Sequence, residues 1–387
     1  MIKVMYFGHQ TDMAGGEISL LQLIDSIDKT AVKPEIIIPG PGRFKNELEK
    51  RRELKKHELH LPDEFVKGTA QSYESGGIAK KAYSVVHLVK TALQLRSILK
   101  QEKPDILHTN TLKAAVIATM ATFMGKTKHI YHDRTHTYNV ANRMIYRRAE
   151  KIIAISDFVR SKYEGLDKSK IVRVYNGVKN KQLGKDEFQL REAYGIGGDE
   201  VLIGVVGRIV PWKGHRTFIE AAINLMKGSS QKFKFIIIGS AEIEASEGYE
   251  NEIKQLIDNS GFKENFIFTG YRTDVQNLMS QLNVLVVPSI EEEAFGRVII
   301  EGQMSNVIVV ASRIGGIPEL IVDNETGLLF RPGDSSELTE KLQRILRDPE
   351  WALRIRDKGY ASAHENFNID IHSARIKRVY EELHYGS

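Results

Sequence analysis

The chain has 387 residues, 42% of them hydrophobic and 27% charged, with a formal net charge of +5 and no cysteine. That length supports two domains, each with its own core. The composition excludes a disulfide framework, a thiol nucleophile and a thiolate-bound metal, and no apolar run reaches the roughly 18 residues of a membrane helix. The charge is unevenly spread. Residues 1–180 carry 31 Lys and Arg against 19 Asp and Glu, a balance of +12, and the remainder carries 24 against 31, or −7. This asymmetry predicts that the N-terminal half faces something anionic.

Residues 1–8 form a first strand, whose apolar run is too short for a signal peptide. Gly15 and Gly16 separate it from a helix starting at Glu17; such a pair either lets the backbone approach a ligand or makes a plain strand–helix turn. Residues 35–39 give a second strand, followed by Gly40-Pro41-Gly42. This is half of a dinucleotide fingerprint, but no G-x-G-x-x-G occurs in the chain, which argues against a nicotinamide or flavin cofactor. A helix is expected over 44–56, carrying Lys45, Lys50, Arg51, Arg52, Lys55 and Lys56 among Glu47, Glu49 and Glu53. It is either a solvated face or a docking face for anionic lipid, where each base contributes about 1 kcal/mol.

A polar loop over 62–80 precedes an amphipathic helix at 82–101, a strand and turn at 104–110, and a helix at 114–123. Residues 128–134 make a strand ending in His132 and Asp133. A lone histidine is more often structural than chemical, yet His132 stands at the carboxyl end of a strand, where open α/β sheets bind ligands. Residues 179–200 form a polar linker with one short helix.

The alternation then restarts with a strand at 201–207. Arg208 and Lys213 follow it, spaced as two cations that can clamp a diphosphate. Strands are expected at 234–239 and 265–270, with a helix at 250–259 between them. The β-branched run 284–287 reads as a strand buried on both faces. Pro288 ends it, Glu291, Glu292 and Glu293 follow, and Phe295-Gly296 opens a helix over 297–304 that includes Arg297 and Val298. The unpaired amides of that first turn and the helix dipole suit a phosphate at 296–298. Glu293 outside the helix and Glu301 within it suit sugar hydroxyls, since carboxylates repel phosphate. A strand at 307–311 and two helices, from Ser336 and from Asp370, close the chain. No two aspartates are spaced D-x-D and no histidine pair has ligand spacing, so a metal is not expected. Strand–helix alternation through both halves predicts two doubly wound parallel sheets facing a cleft.

Glu293 and Glu301, eight apart around Ala294-Phe295-Gly296, resemble the E-x7-E motif of the retaining GT-B glycosyltransferases of family 4. Gly15-Gly16, His132, Val174-Tyr-Asn-Gly-Val178, Arg208 with Lys213, Gly315-Gly-Ile-Pro-Glu-Leu and Asn324-Glu-Thr-Gly327 extend the resemblance along nearly the whole chain; Lys179 departs from the acid usual after Asn-Gly. The resemblance implies a hexosyltransferase acting with retention and no metal or other cofactor. Its implied substrates are a nucleotide-sugar, UDP-linked, and a glycan, lipid-linked or small-molecule acceptor in bacterial cell-surface synthesis. It further implies an acceptor domain at 1–180, a donor domain at 181–367, and a last helix, 368–387, crossing back onto the first. In the family the glycine pair closes over the donor phosphate, a histidine at the place of His132 lies against the donor sugar, and the loop with Tyr271 meets the base. The expected location is cytoplasmic, peripheral on the inner face of the membrane. A nucleotide-sugar 2-epimerase and a silent nucleotide- or glycan-binding partner are the alternatives; nucleic-acid binding lacks any motif.

Overall fold

Each half of the chain builds one parallel sheet flanked by helices. The computed structural model describes residues 1–62, 66, 78–180, 188–241 and 244–386, with backbone alone at 78–82 and 244–247. The chain divides into two units, Met1–Gly177 with Ile369–Ser387, and Val178–Asn368.

The first unit begins with β1 (Ile2–Phe7), α1 (Gly15–Ser26), β2 (Val32–Ile38), α2 (Arg43–Glu49) and β3 (Lys55–Glu58). Then come α3 (Ile78–Glu102), β4 (Ile106–Thr109), α4 (Leu112–Ala121), β5 (Lys128–Asp133) and α5 (Val140–Arg148). It continues with β6 (Lys151–Ala154), α6 (Asp157–Ser161) and β7 (Ile171–Arg173). Its sheet runs β3-β2-β1-β4-β5-β6-β7. The central strand β1 is buried on both faces: Ile2, Val4 and Tyr6 join one core, Met5 and Phe7 the other. That is why it reads as a continuous apolar run.

The second unit holds α7 (Leu190–Ala193), β8 (Val201–Val206), α8 (His215–Lys227), β9 (Phe233–Ile238), α9 (Glu244–Asp258) and β10 (Phe266–Gly270). After them come α10 (Val275–Ser280), β11 (Val284–Val287), α11 (Arg297–Met304), β12 (Ile308–Ser312) and β13 (Leu328–Phe330). Two helices, α12 (Ser335–Arg347) and α13 (Pro349–Phe367), complete it, and α14 (Ile369–Tyr385) returns to the first unit. The sheet order is β10-β9-β8-β11-β12-β13. In both units the strand order reverses beside the first strand, between β1 and β4 and between β8 and β11. Ligands of open α/β sheets bind at such switch points.

Three expectations are corrected. The helix over 44–56 ends at Glu49; the chain turns, and Lys55–Glu58 pairs in parallel with β2 as an edge strand. Sheet pairing here overrides local helix propensity. The six bases therefore form no cationic helix face. Lys45 pairs with Glu58, Lys50 with Glu47, Arg51 with Asp25 and Lys55 with Glu102, and Lys56 donates to the carbonyls of Arg51 and Leu54. Second, the loop over 62–80 loses residues 78–80 to α3, and most of the rest lies outside the described residues. Third, the chain closes with three helices rather than two, because Asp348 caps a new helix by accepting from the Trp351 amide directly after α12.

Ile376, Val379 and Tyr380 of α14 are buried with Ile2, Val4, Ile24 and Ile106, so the last helix is part of the first unit's core. Ile376, fully buried, should cost about 2–5 kcal/mol of unfolding free energy when changed to Ala, measured by urea denaturation. A loss below about 0.5 kcal/mol, the range of surface substitutions, would show the helix to be peripheral.

Candidate functional site

In the second unit, β8 pairs directly with β11. The loops leaving their carboxyl ends are therefore neighbours. Ile290 donates its amide to the Trp212 carbonyl at 2.9 Å, tying one loop to the other. Gly214 sits at φ +72°, and a Cβ there would lie 1.8 Å from the Pro288 oxygen. Only glycine fits that crossing. Lys213 is consequently delivered to Glu293, with its ammonium 2.8 Å from Oε1 and 4.4 Å from the Trp212 ring centroid. The Ser289 hydroxyl donates to the same carboxylate oxygen. Glu293 is held from below by Gly315-Gly316: the Gly316 amide donates to the Glu293 carbonyl at 2.8 Å, and a Cβ on Gly315, φ +58°, would meet that oxygen at 2.5 Å.

The helix α11 starts at Gly296, and Arg297 and Val298 form its first turn. Arg297 donates from Nε to Glu301 Oε1 at 2.6 Å, an i,i+4 pair; Glu301 stands a little over one turn in. Both predicted carboxylates thus face a cation, Glu293 with Lys213 and Glu301 with Arg297. Arg208 is exposed and makes no ion pair among the described residues. Tyr271 is half exposed on the loop after β10. Phe295 is buried against Phe367, ring centroids 6.1 Å apart, so its side chain packs the core and its backbone alone is placed to meet a ligand.

In the first unit, Gly15 and Gly16 open α1 near the carboxyl end of β1. Asn110, after β4, donates from Nδ2 to the Gly16 carbonyl at 3.1 Å, and Arg134, after β5, donates from Nε to Asn110 Oδ1 at 2.7 Å. Arg134 also donates to Asn176 Oδ1. Glu17 is buried beside them; burial pushes its carboxyl above the ordinary range, and the Arg134 charge opposes that. Asp133 is a structural anchor, receiving Lys162 at 2.6 Å and the hydroxyls of Tyr131 and Tyr163.

His132 is fully buried, in a row running from α14. The Tyr380 hydroxyl lies 2.7 Å from His108 Nδ1, and His108 Nε2 lies 3.1 Å from His132 Nδ1. Arg134 Nη2 points at the same His132 Nδ1, at 3.5 Å. A guanidinium only donates, so His132 Nδ1 accepts and His108 Nε2 donates to it. His132 therefore carries its proton on Nε2, which has no partner among the described residues. It presents a hydrogen-bond donor, not a base. Burial, and after it the Arg134 charge, holds both histidines well below their usual range.

Sequence reasoning missed Asn110, Arg134, His108 and Tyr380, whose roles depend on contacts across the sheet. It quoted Gly315-Gly316 without a role. The available signal for Asn110 and Arg134 was position, a polar residue directly after a strand. Among the described residues one group has metal-ligand spacing, Glu35, His57 and Glu102. The Lys3 ammonium lies 3.1 Å from each of the two carboxylates and Lys55 pairs with Glu102 as well, so two cations already balance them, near the amino ends of β1 and β4.

The histidine row predicts a pH response. Burial lowers His9 to about 4 and His129 to about 3, and His108 and His132 are lowered too. Unfolded, these side chains bind a proton below about pH 6.5; folded, they do not. Stability is therefore full above pH 6.5 and falls as pH drops, by up to about 1.4 kcal/mol per pH unit for each histidine. Urea titrations between pH 7 and 5 should show this fall, and nitrogen-15 NMR should find His108 and His132 neutral with the proton on Nε2. A proton on Nδ1 of His132 would overturn the assignment.

The family profile described as Glycosyltransferase Family 4 matches residues 13–182, and that described as Glycosyl transferases group 1 matches residues 186–362. The capsular polysaccharide biosynthesis glycosyltransferase CapM of Staphylococcus aureus is 27% identical over 312 residues, covering 76% of this chain and 80% of its own. The N-acetyl-alpha-D-glucosaminyl L-malate synthase of Bacillus anthracis is 24% identical over 372 residues, covering 90% and 94%. Among solved structures, Anabaena HepE in complex with UDP-glucose matches with a TM-score of 0.81 at 22% identity, over 99% of this chain and 100% of that one.

Proposed function

This chain is a group 1, family 4-like glycosyltransferase of the GT-B fold, and on that premise we propose that it moves a hexosyl unit from a UDP-sugar to an acceptor hydroxyl, with retention and without a metal. The acceptor belongs to cell-surface polysaccharide or lipopolysaccharide synthesis, as the names of its relatives suggest. The observation that carries the reading is the meeting, beyond β8 and β11, of a cation loop with a carboxylate segment and a helix start. Arg208, Lys213 and the first turn of α11 supply positive potential for a leaving diphosphate. Glu293 and Glu301 supply acceptors for sugar and ribose hydroxyls. The UDP-glucose complex of HepE supports a uridine donor. The 2-epimerase and silent-partner alternatives are not favoured, since relatives including CapM are named as transferases.

In the step proposed, the bond from the anomeric carbon to the diphosphate oxygen breaks and the acceptor oxygen bonds to the same face. The acceptor's proton passes to the leaving phosphate, so no protein nucleophile is consumed. The lysine and arginine stabilise charge that grows only as that bond breaks, and so act on the transition state more than on bound donor.

UDP should raise the melting temperature in a concentration-dependent way, GDP and ADP much less. Arg208→Ala or Lys213→Ala should lower turnover by about two to three orders of magnitude with little change in melting temperature, and EDTA should leave wild-type activity intact. More than about a tenth of activity in either variant would sink the clamp, and a strict need for Mn²⁺ or Mg²⁺ would sink the metal-free reading. The two glutamates should separate kinetically. Glu301→Gln, at the ribose, should mainly raise donor KM, whereas Glu293→Gln, at the transferred sugar, should mainly lower kcat. The reverse pattern, or a KM change in both, would refute this assignment.

A further inference from the structure

A helix lying on a sheet turns its apolar side inward and its polar side to water. The helix α3 departs from this. Ala92, Leu95 and Leu99 are buried as expected, but Tyr83, Val85, Val86, Val89 and Leu93 are 49%, 58%, 65%, 40% and 61% exposed. These five occupy three consecutive turns, and Val86, Val89 and Leu93 follow one another at the spacing that shares a face. One turn beyond Leu93, Arg96 donates to the Phe123 carbonyl at 3.0 Å, which brings Phe123 and Met124, 44% and 85% exposed, beside the end of the stripe. A ridge of this extent in water marks an interaction surface.

Its charge identifies the occupant. Residues 78–101 contain five bases and no acid. Lys90 and Lys100 are exposed on the helix, and the Arg148 guanidinium stands 4.6 Å from the Phe123 ring centroid. The first acid, Glu102, is held by Lys3 and Lys55. A second copy of this chain would set these bases against themselves across a two-fold interface. An anionic bilayer instead accepts apolar side chains to a depth of about 5–10 Å and offers phosphates to the flanking cations. Among the described residues no helix is long and apolar enough to cross a membrane.

We propose that the outward face of α3, with Phe123 and Met124, docks this protein on a membrane surface bearing anionic lipid. This surface takes the place of the 44–56 segment, whose bases other than Arg52 are spent on partners within the chain. Docking needs neither donor nor turnover, so it stands or falls separately from the donor chemistry.

Flotation of the full chain with phosphatidylcholine vesicles, with and without phosphatidylglycerol, tests this. Binding should be at least about tenfold tighter with phosphatidylglycerol and weaken as salt rises. The double variant Val86→Glu/Leu93→Glu places charge on the ridge while keeping good helix formers; it should lose about tenfold or more. Lys90→Glu/Lys100→Glu should remove most of the preference for anionic lipid. Both variants should keep the wild-type melting temperature and its shift with UDP, which separates lost docking from misfolding. No binding by the wild type, equal binding to both vesicles, or unchanged binding by both variants would overturn the proposal. So would a wild-type dimer that the Val86→Glu/Leu93→Glu variant abolishes.

Discussion

The adjacency of β8 and β11 is the constraint on which the candidate site depends. These strands are about eighty residues apart in sequence, yet their pairing from Val284 with Ile203 to Val286 with Val205 makes their exit loops neighbours. Two close backbone crossings then fix the loops to about an ångström. The chain passes Pro288 at Gly214 and passes beneath Glu293 at Gly315-Gly316. Lys213 and Glu293 meet because the backbone beneath them has no freedom to separate. A part-buried pair of this kind adds little stability, since desolvation offsets the attraction. In the proposed reaction its value is preorganisation: the ammonium is held in place before a leaving diphosphate develops charge.

The first unit solves a different problem. Its excess of positive charge does not form one patch, because many bases are consumed inside the unit: Lys3 by Glu35 and Glu102, Arg51 by Asp25, Lys162 by Asp133. Arg134 instead organises the strand ends, bonding to Asn110 and Asn176 and setting the proton positions of the buried histidines. The row reaches Tyr380, so the last helix of the chain both completes the core and orients a side chain at the far end of the sheet. In a low-dielectric interior such a row holds one proton arrangement, because any reversal leaves a donor facing a donor.

Much of this was legible in the residues. Buried parallel strands are continuous β-branched runs, and 284–287 was placed to the residue because nothing polar interrupts it. Alternation of such runs with helical spacing specifies doubly wound sheets, and Arg208, Lys213, Glu293, Gly296 and Glu301 stood out because they lie in the two segments that follow buried strands. What local pattern could not supply was any feature decided by distant partners. Residues 50–56 have helical composition, but the helix ends at Glu49 and Lys55–Glu58 pairs as an edge strand, because β2 offers hydrogen bonds that a frayed helix end lacks. Phe295 opens the expected helix, but that its side chain is buried against Phe367 depends on a partner seventy-two residues away. The stripe on α3 read as an ordinary amphipathic helix, because periodicity reports that a face is apolar and not whether anything covers it. Composition and spacing were enough for the fold and for the placement of polar residues beyond the strand ends, both being properties of short segments. Pairing, proton direction and exposure needed the packed chain, for each is a relation between segments that sequence leaves far apart.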